Sequence, residues 1–288
     1  MALERLERIS EHGSFGGVQR FYKHFSVDQI GLPMRFALFL PPQATQAGRP
    51  PPLLTFLAGL TCTEETAAMK AGAQRLAAQL GLALLFPDTS PRHSGIDGED
   101  HHWDFGVGAG FYLDATEHPW AGHWQMESYL MRELIPGVVA EFGLDGTRLG
   151  ITGHSMGGHG ALTLALRHPG VFRSVSAFAP ICAPTQCPWG RKAFLGYLGQ
   201  EESAWAAHDA SRLMAAQTAA PYPGGILIDQ GLADAFLAEQ LHPETFEAAC
   251  AQAGQPLTLR RHAGYDHGYY FIASVIDDHL RHHAQALA

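Results

Sequence analysis

Between Leu149 and Leu162 the chain reads LGITGHSMGGHGAL: a short apolar run, a turn crowded with glycine, then an Ala/Leu-rich run. Few backbones accept that order. Gly153-x-Ser155-x-Gly157 at its centre is the pattern of a nucleophile elbow, in which a serine sits on a tight strand-to-helix turn with its hydroxyl exposed. The glycines are needed because so sharp a turn brings backbone and neighbouring strands too close for side chains. A helix starting at the serine aims free N–H groups and the positive end of its dipole at any anion formed there.

The rest of the chain can house such a turn. Its 288 residues are 46% hydrophobic and 16% charged, ample for a sizeable core. With 28 Asp+Glu against 19 Lys+Arg, the net charge of −9 argues against a nucleic-acid binder, which needs a basic face, and lends no support to an anionic membrane partner. The charged N-terminus MALERLER lacks the apolar core of a secretory signal, and no run is long enough to span a bilayer. A soluble, cytoplasmic protein is expected, with Cys62, Cys182, Cys187 and Cys250 reduced. The 17 His show neither H-E-x-x-H nor C-x-x-C spacing, and Cys182/Cys187 has no second pair, so no metal and no cofactor is expected.

Apolar runs punctuated by turn residues lay out the architecture. Residues 16–26 and 34–40 are expected to pair as strands across a turn containing Asp28, and 43–52 to form a proline-rich surface loop. Compact runs at 53–57 and 82–86 suit strands buried on both faces. A helical stretch lies between them, whose Thr63 and Thr66 fall short of a full capping box. Residues 89–127, aperiodic and rich in Gly, His, Asp and Trp, fit either a pocket wall or a solvated loop. A helix at 126–142, kinked by Pro136, leads to the elbow. Further strands are expected at 174–179, 225–229 and 257–261, and helices at 242–252 and 269–283. The alternation predicts an α/β-hydrolase fold, a mostly parallel sheet with helices on both faces, as a single domain over 1–288.

A serine hydroxyl needs a base, and the base an orienting acid. In this fold the partners follow the serine in the order acid, His. Asp229, ending a strand, competes with Asp234, in the loop beyond, whose position slightly favours it. Likewise His262, against the end of the last strand, competes with His267 in a Gly-flanked loop before the final helix, and placement favours His267. The oxyanion hole takes the N–H of Met156, after the nucleophile, and that of Leu60, in the loop after an early strand. Cys62 lacks an elbow and reads as a wall of the site, a source of thiol-reagent sensitivity.

Longer motifs add a resemblance. GLTCTE (59–64), PDTSPR (87–92), WDFG (103–106), GAGFY (108–112), DATE (114–117), GHSMGGHGA (153–161), SAFAPIC (176–182), CPWG (187–190), IDQG (228–231) and GYDHGYYFI (264–272) resemble S-formylglutathione hydrolase, the esterase D family, in unbroken order from about Phe15 onward. The resemblance implies hydrolysis of a small-molecule glutathione thioester, S-formylglutathione, to glutathione and formate in formaldehyde detoxification. The family's nucleophile falls on Ser155, its base on His267 and its acid on Asp234. Where relatives often carry two adjacent acids, Ala233 precedes Asp234 here, and His101-His102 also departs from the usual pattern. Trp189 is assigned to wall a tight acyl pocket and Lys192 to meet a glutathione carboxylate, against the plainer readings of a core ring and a solvated charge. A homodimer is left open. A general carboxylesterase or acyltransferase of the same fold is the competing activity.

Overall fold

The computed structural model describes residues 3–45 and 48–288; Gln46 and Ala47, in the expected 43–52 loop, lie outside them. Nine strands, β1 (Glu7–Ser14), β2 (Gly17–Phe25), β3 (Pro33–Leu40), β4 (Pro52–Leu57), β5 (Ala83–Pro87), β6 (Asp145–Gly153), β7 (Ser174–Phe178), β8 (Ile226–Gly231) and β9 (Leu257–His262), form one sheet in the order β1-β2-β3-β5-β4-β6-β7-β8-β9. The first three pair antiparallel, and β5, β4, β6, β7, β8 and β9 are mutually parallel. Strand order reverses at β4: the chain goes from β4 back to β5 on one side, then to β6 on the other. A crevice opens at the carboxyl ends of strands where order reverses. The loops after β4 and β6, carrying Gly59-Leu60 and Ser155, leave the sheet there.

Each parallel strand of the middle is buried on both faces, as apolar runs of this kind require. The helix Met156–Arg167 packs on β4, β6 and β7, and the helix Tyr269–Ala286 on β7, β8 and the helix Gln74–Leu80. This is the α/β-hydrolase architecture. β2 and β3 pair as expected.

Other elements differ from expectation for local reasons. The sequence shows no sign of β1, whose side chains are almost all exposed; an edge strand with neither face buried has no apolar alternation to read. Its hairpin closes through Phe15 and Gly16, both at positive φ, as a two-residue turn of right-handed twist demands. Thr63 and Thr66 do form a capping box: Glu65 N–H donates to Thr63 Oγ1 and Thr63 N–H to Thr66 Oγ1. A threonine hydroxyl thus does what Glu or Gln does in the common version. The helical stretch then breaks at Gly72, giving the helices Glu64–Lys70 and Gln74–Leu80. Ahead of Pro136, the helix from Met126 widens into a π turn over Tyr129–Leu134 rather than a sharp kink, with Ile135 N–H donating to Leu130 O. Wide turns of this kind absorb a break in the helical ladder.

Candidate active site

Residues 89–127 are not a solvated loop. Phe111, Tyr112, Leu113 and Trp124 are fully buried, and the segment is tied down by Gly106 N–H to Tyr197 Oη and by Asp114 to Ser128. It also supplies Trp103, 57% exposed, whose ring meets Trp189 edge-on at 5.5 Å.

The elbow is built by close approach. A Cβ on Gly157 would lie 2.0 Å from Leu57 O, and one on Gly153 would lie 2.2 Å from Gly157 O, so only glycine lets the turn nest against β4. Ser155 itself sits at φ 59°, ψ −118°, a region L-residues avoid, as N-cap of the helix Met156–Arg167. Strain of that kind persists only where the surroundings enforce it, and it clusters at reactive sites. The β4 loop abuts it: a Cβ on Gly59 would lie 3.2 Å from Ser155 Cβ and 3.3 Å from His154 O.

The loops that carry Asp234 and His267 are laced together. Leu232 N–H donates to His262 O and Ala233 N–H to Tyr265 O, and Gly231 leaves no room for a Cβ against Tyr265 and Asp266 carbonyls. Asp234 is held with its side chain fully buried; Oδ1 accepts the Phe236 N–H at 2.8 Å, and Oδ2 lies 2.5 Å from His267 Nδ1. The His267 ring in turn lies 4.5 Å from that of His154, the residue before Ser155. Ser155 Oγ makes no hydrogen bond among the described residues. Catalytic contacts are often long before substrate binds.

The two less favoured candidates, Asp229 and His262, find each other. Asp229 Oδ1 lies 2.8 Å from His262 Nε2, its Oδ2 lies 2.9 Å from His279 Nε2, and Arg260 grips both oxygens. Burial would raise this carboxyl, but the hydrogen bonds from His279, Arg260 and His262 outweigh it and hold Asp229 well below the usual range. Burial outweighs Asp229 at His279 and keeps that imidazole below its ordinary value.

Trp189 is 7% exposed, packed on Phe236 at 4.7 Å, and Phe236 stands edge-on to His267 at 5.0 Å. A wall of three rings thus runs from the surface at Trp103 to the imidazole. Phe236 escaped the sequence reading, although an apolar residue two positions past a candidate acid was its signal. Lys192 Nζ is paired with Asp104, so an incoming carboxylate has to share it. Burial pushes the Cys62 thiol up, which disfavours the thiolate, and all four cysteines are free. No group of residues with metal-ligand geometry occurs among the described residues. No helix is long and apolar enough to cross a membrane. A cavity of about 730 Å³ lined by Phe172, Ser174, Tyr222 and His282 touches none of Ser155, Asp234 or His267.

Comparison with known proteins adds the family. An esterase family model matches residues 28–282. Over 283 residues the chain is 52% identical to an S-formylglutathione hydrolase of Mus musculus, covering 98% of this chain and 99% of that one. The chain belongs to the S-formylglutathione hydrolase family of esterases. A bacterial member, from Paracoccus denitrificans, is 51% identical over 98% of both chains. The structure of an S-formylglutathione hydrolase from Agrobacterium tumefaciens superposes with a TM-score of 0.93 at 45% identity, over 98% of this chain and 100% of that one. The protein is a hydrolase of this family, and its fold departs little from the Agrobacterium enzyme's.

Proposed function

We propose that the protein hydrolyses S-formylglutathione to glutathione and formate through a Ser155–His267–Asp234 triad. The observation that carries the reading is the Asp234–His267 pair, whose imidazole lies 4.5 Å from the ring of His154, the residue before the elbow serine. Ser155 attacks the formyl carbon while His267 takes its proton, and Asp234 holds the imidazole and stabilises its charged form. The Leu60 and Met156 N–H groups receive the oxyanion, the first from the loop pressed on Ser155 and the second from the helix N-terminus. Collapse breaks the C–S bond, and glutathione leaves as a thiol or thiolate, a far easier leaving group than an amine. Water, deprotonated by His267, then attacks the formyl-enzyme and releases formate.

A formyl group is small, and the Trp189–Phe236 wall suits a tight acyl pocket. Lys192, shared with Asp104, meets a glutathione carboxylate. No cofactor or metal is assigned a step, neither nucleic acid nor membrane a role. The protein works in the cytoplasm as a single-domain unit, alone or as a homodimer. Comparing kcat/KM for S-formylglutathione and an aryl acetate tests the substrate. A preference for the thioester by orders of magnitude is expected; the reverse would make the protein a general carboxylesterase.

A further inference from the structure

Gln230 is a polar side chain in the middle of a buried strand, and its amide is spent in an unusual way. The residue is fully buried. Its Nε2 donates to Gly231 O at 3.0 Å and to Asp234 Oδ2 at 3.2 Å, while its Oε1 is buried with no partner. An orphaned buried acceptor costs stability, so an apolar side chain of the same shape would serve β8 better if packing were all that mattered. The amide faces the one oxygen that also meets His267 Nδ1. A flipped amide would set Oε1 against a carboxylate, so the hydrogen-bond pattern fixes which end faces Asp234.

We propose that Gln230 is a positioning residue of the reaction: its amide fixes the Asp234 carboxylate against His267 and draws off part of that oxygen's charge. The inference rests on the triad reading above. Asp234 then accepts three donors: Phe236 N–H on Oδ1, and Gln230 and His267 on Oδ2. The Gln230 donor shares Oδ2 with His267 Nδ1, so that removing it concentrates that oxygen's charge on the one remaining hydrogen bond. Groups that hold a catalytic group's partner in this way typically change rates 10- to 100-fold when removed, roughly as at metal-bound histidines.

Other ionisable groups surround the pair. His154 faces His267, Asp266 caps Gly268 in the same loop, and Tyr269 lies against His154. Asp229, with Arg260, His262 and His279, projects from the opposite face of β8. All are unchanged by substitution at 230, so any change in pH dependence reports the amide.

The test measures kcat/KM against pH, with an aryl acetate and with S-formylglutathione, for wild type, Gln230→Met and Gln230→Glu. Gln230→Met removes the donor, strengthens the carboxylate's hold on the proton and moves the acid limb of the profile upward. Its rate relative to wild type is therefore lowest in acid and climbs with pH to a plateau about 10-fold down. The carboxyl introduced by Gln230→Glu donates the same hydrogen bond while protonated and repels Asp234 once ionised. Its rate relative to wild type therefore falls as pH rises. Opposite slopes support the proposal. Ratios flat with pH in both variants, or both variants at wild-type rates, overturn it. Gln230→Glu is isosteric and carries the test by itself if Gln230→Met does not fold. Asp234→Asn separates the two claims. Wild-type rates in Asp234→Asn would sink the triad; an inactive Asp234→Asn beside flat Gln230 ratios would sink only this inference.

Discussion

Two Asp–His constellations lie at the end of β8, five residues apart in sequence. Each joins its aspartate to a histidine 33 residues downstream: Asp229 to His262, and Asp234 to His267. Their surroundings differ. Asp229 projects from inside the strand, where its register partner on β9 is Arg260, and Arg260, His262 and His279 saturate it. His279 continues inward to Ser176, which also meets Thr152 and His283, so the network ties β6, β7 and β8 to the C-terminal helix. Asp234 stands past the strand end, has one imidazole partner and places that imidazole beside the elbow. A carboxylate with every lone pair engaged locks elements together. One that holds its histidine beside an elbow serine can run proton transfer.

The comparison breaks most visibly at Asp234 and Ser155. Asp234→Asn is expected to lower kcat by about 10⁴-fold with little change in melting temperature. Ser155→Ala, in parallel, should abolish labelling by a fluorophosphonate. Wild-type protein that failed to label would remove the elbow serine from the mechanism.

The opposite result is expected one strand turn earlier. Asp229→Asn weakens the hydrogen bonds from His262 and His279 and leaves Arg260 with Asp278 as its one carboxylate partner among the described residues, and should cost about 1–3 kcal/mol of stability in urea unfolding, while the folded fraction keeps its kcat. A large loss of kcat with unchanged stability would reverse the two assignments.

Acid should act on stability in two stages. His24, bonded to Tyr129 Oη, is pushed down by burial to about 4. It stays neutral in the folded protein while the unfolded chain takes up a proton below about pH 6.5. The unfolded state then binds more protons, so His24 costs nothing above that pH and lowers stability as pH falls, by roughly 2 kcal/mol at pH 5. His208 and His159, lowered to about 4 and about 3 chiefly by burial, act in the same direction. Asp229, held low in the folded state, contributes its full share above about pH 4 and loses it only below. Urea midpoints should thus fall between pH 7 and 5 in wild type and in Asp229→Asn alike, and the two should converge only in stronger acid. A midpoint flat between pH 7 and 5 would contradict the buried neutral histidines.

The smallest effect is expected at His262. His262→Asn removes one of several donors to Asp229 and should cost about 1 kcal/mol, with kcat unchanged. A catalytic loss there would restore His262 as a candidate base.

Much of this was legible in residues alone. Steric crowding dictates that a G-x-S-x-G turn between a strand and a helix uses those glycines, and the distances at Gly153 and Gly157 bear that out. Apolar runs bounded by turn residues located β4 to β9 and the parallel sheet, and in β4, β5, β7 and β8 burial on both faces leaves a strong local signature. β1 left none, since neither of its faces is buried. Phe236 and Gln230 were overlooked for the complementary reason: their importance lies in what they touch.

The sequence by itself therefore determined the parallel part of the sheet and the elbow turn, since both follow from local sterics and periodicity. It favoured Asp234 and His267 by placement and resemblance. Only the tertiary structure decided that Asp229 closes on His262 while Asp234 closes on His267. Both pairs span 33 residues, so chain distance carries no information about them. What separates them is the pleat of β8 and its register with β9, which turn Asp229 toward Arg260 and leave Asp234 beyond the last ladder bond, free to face His267.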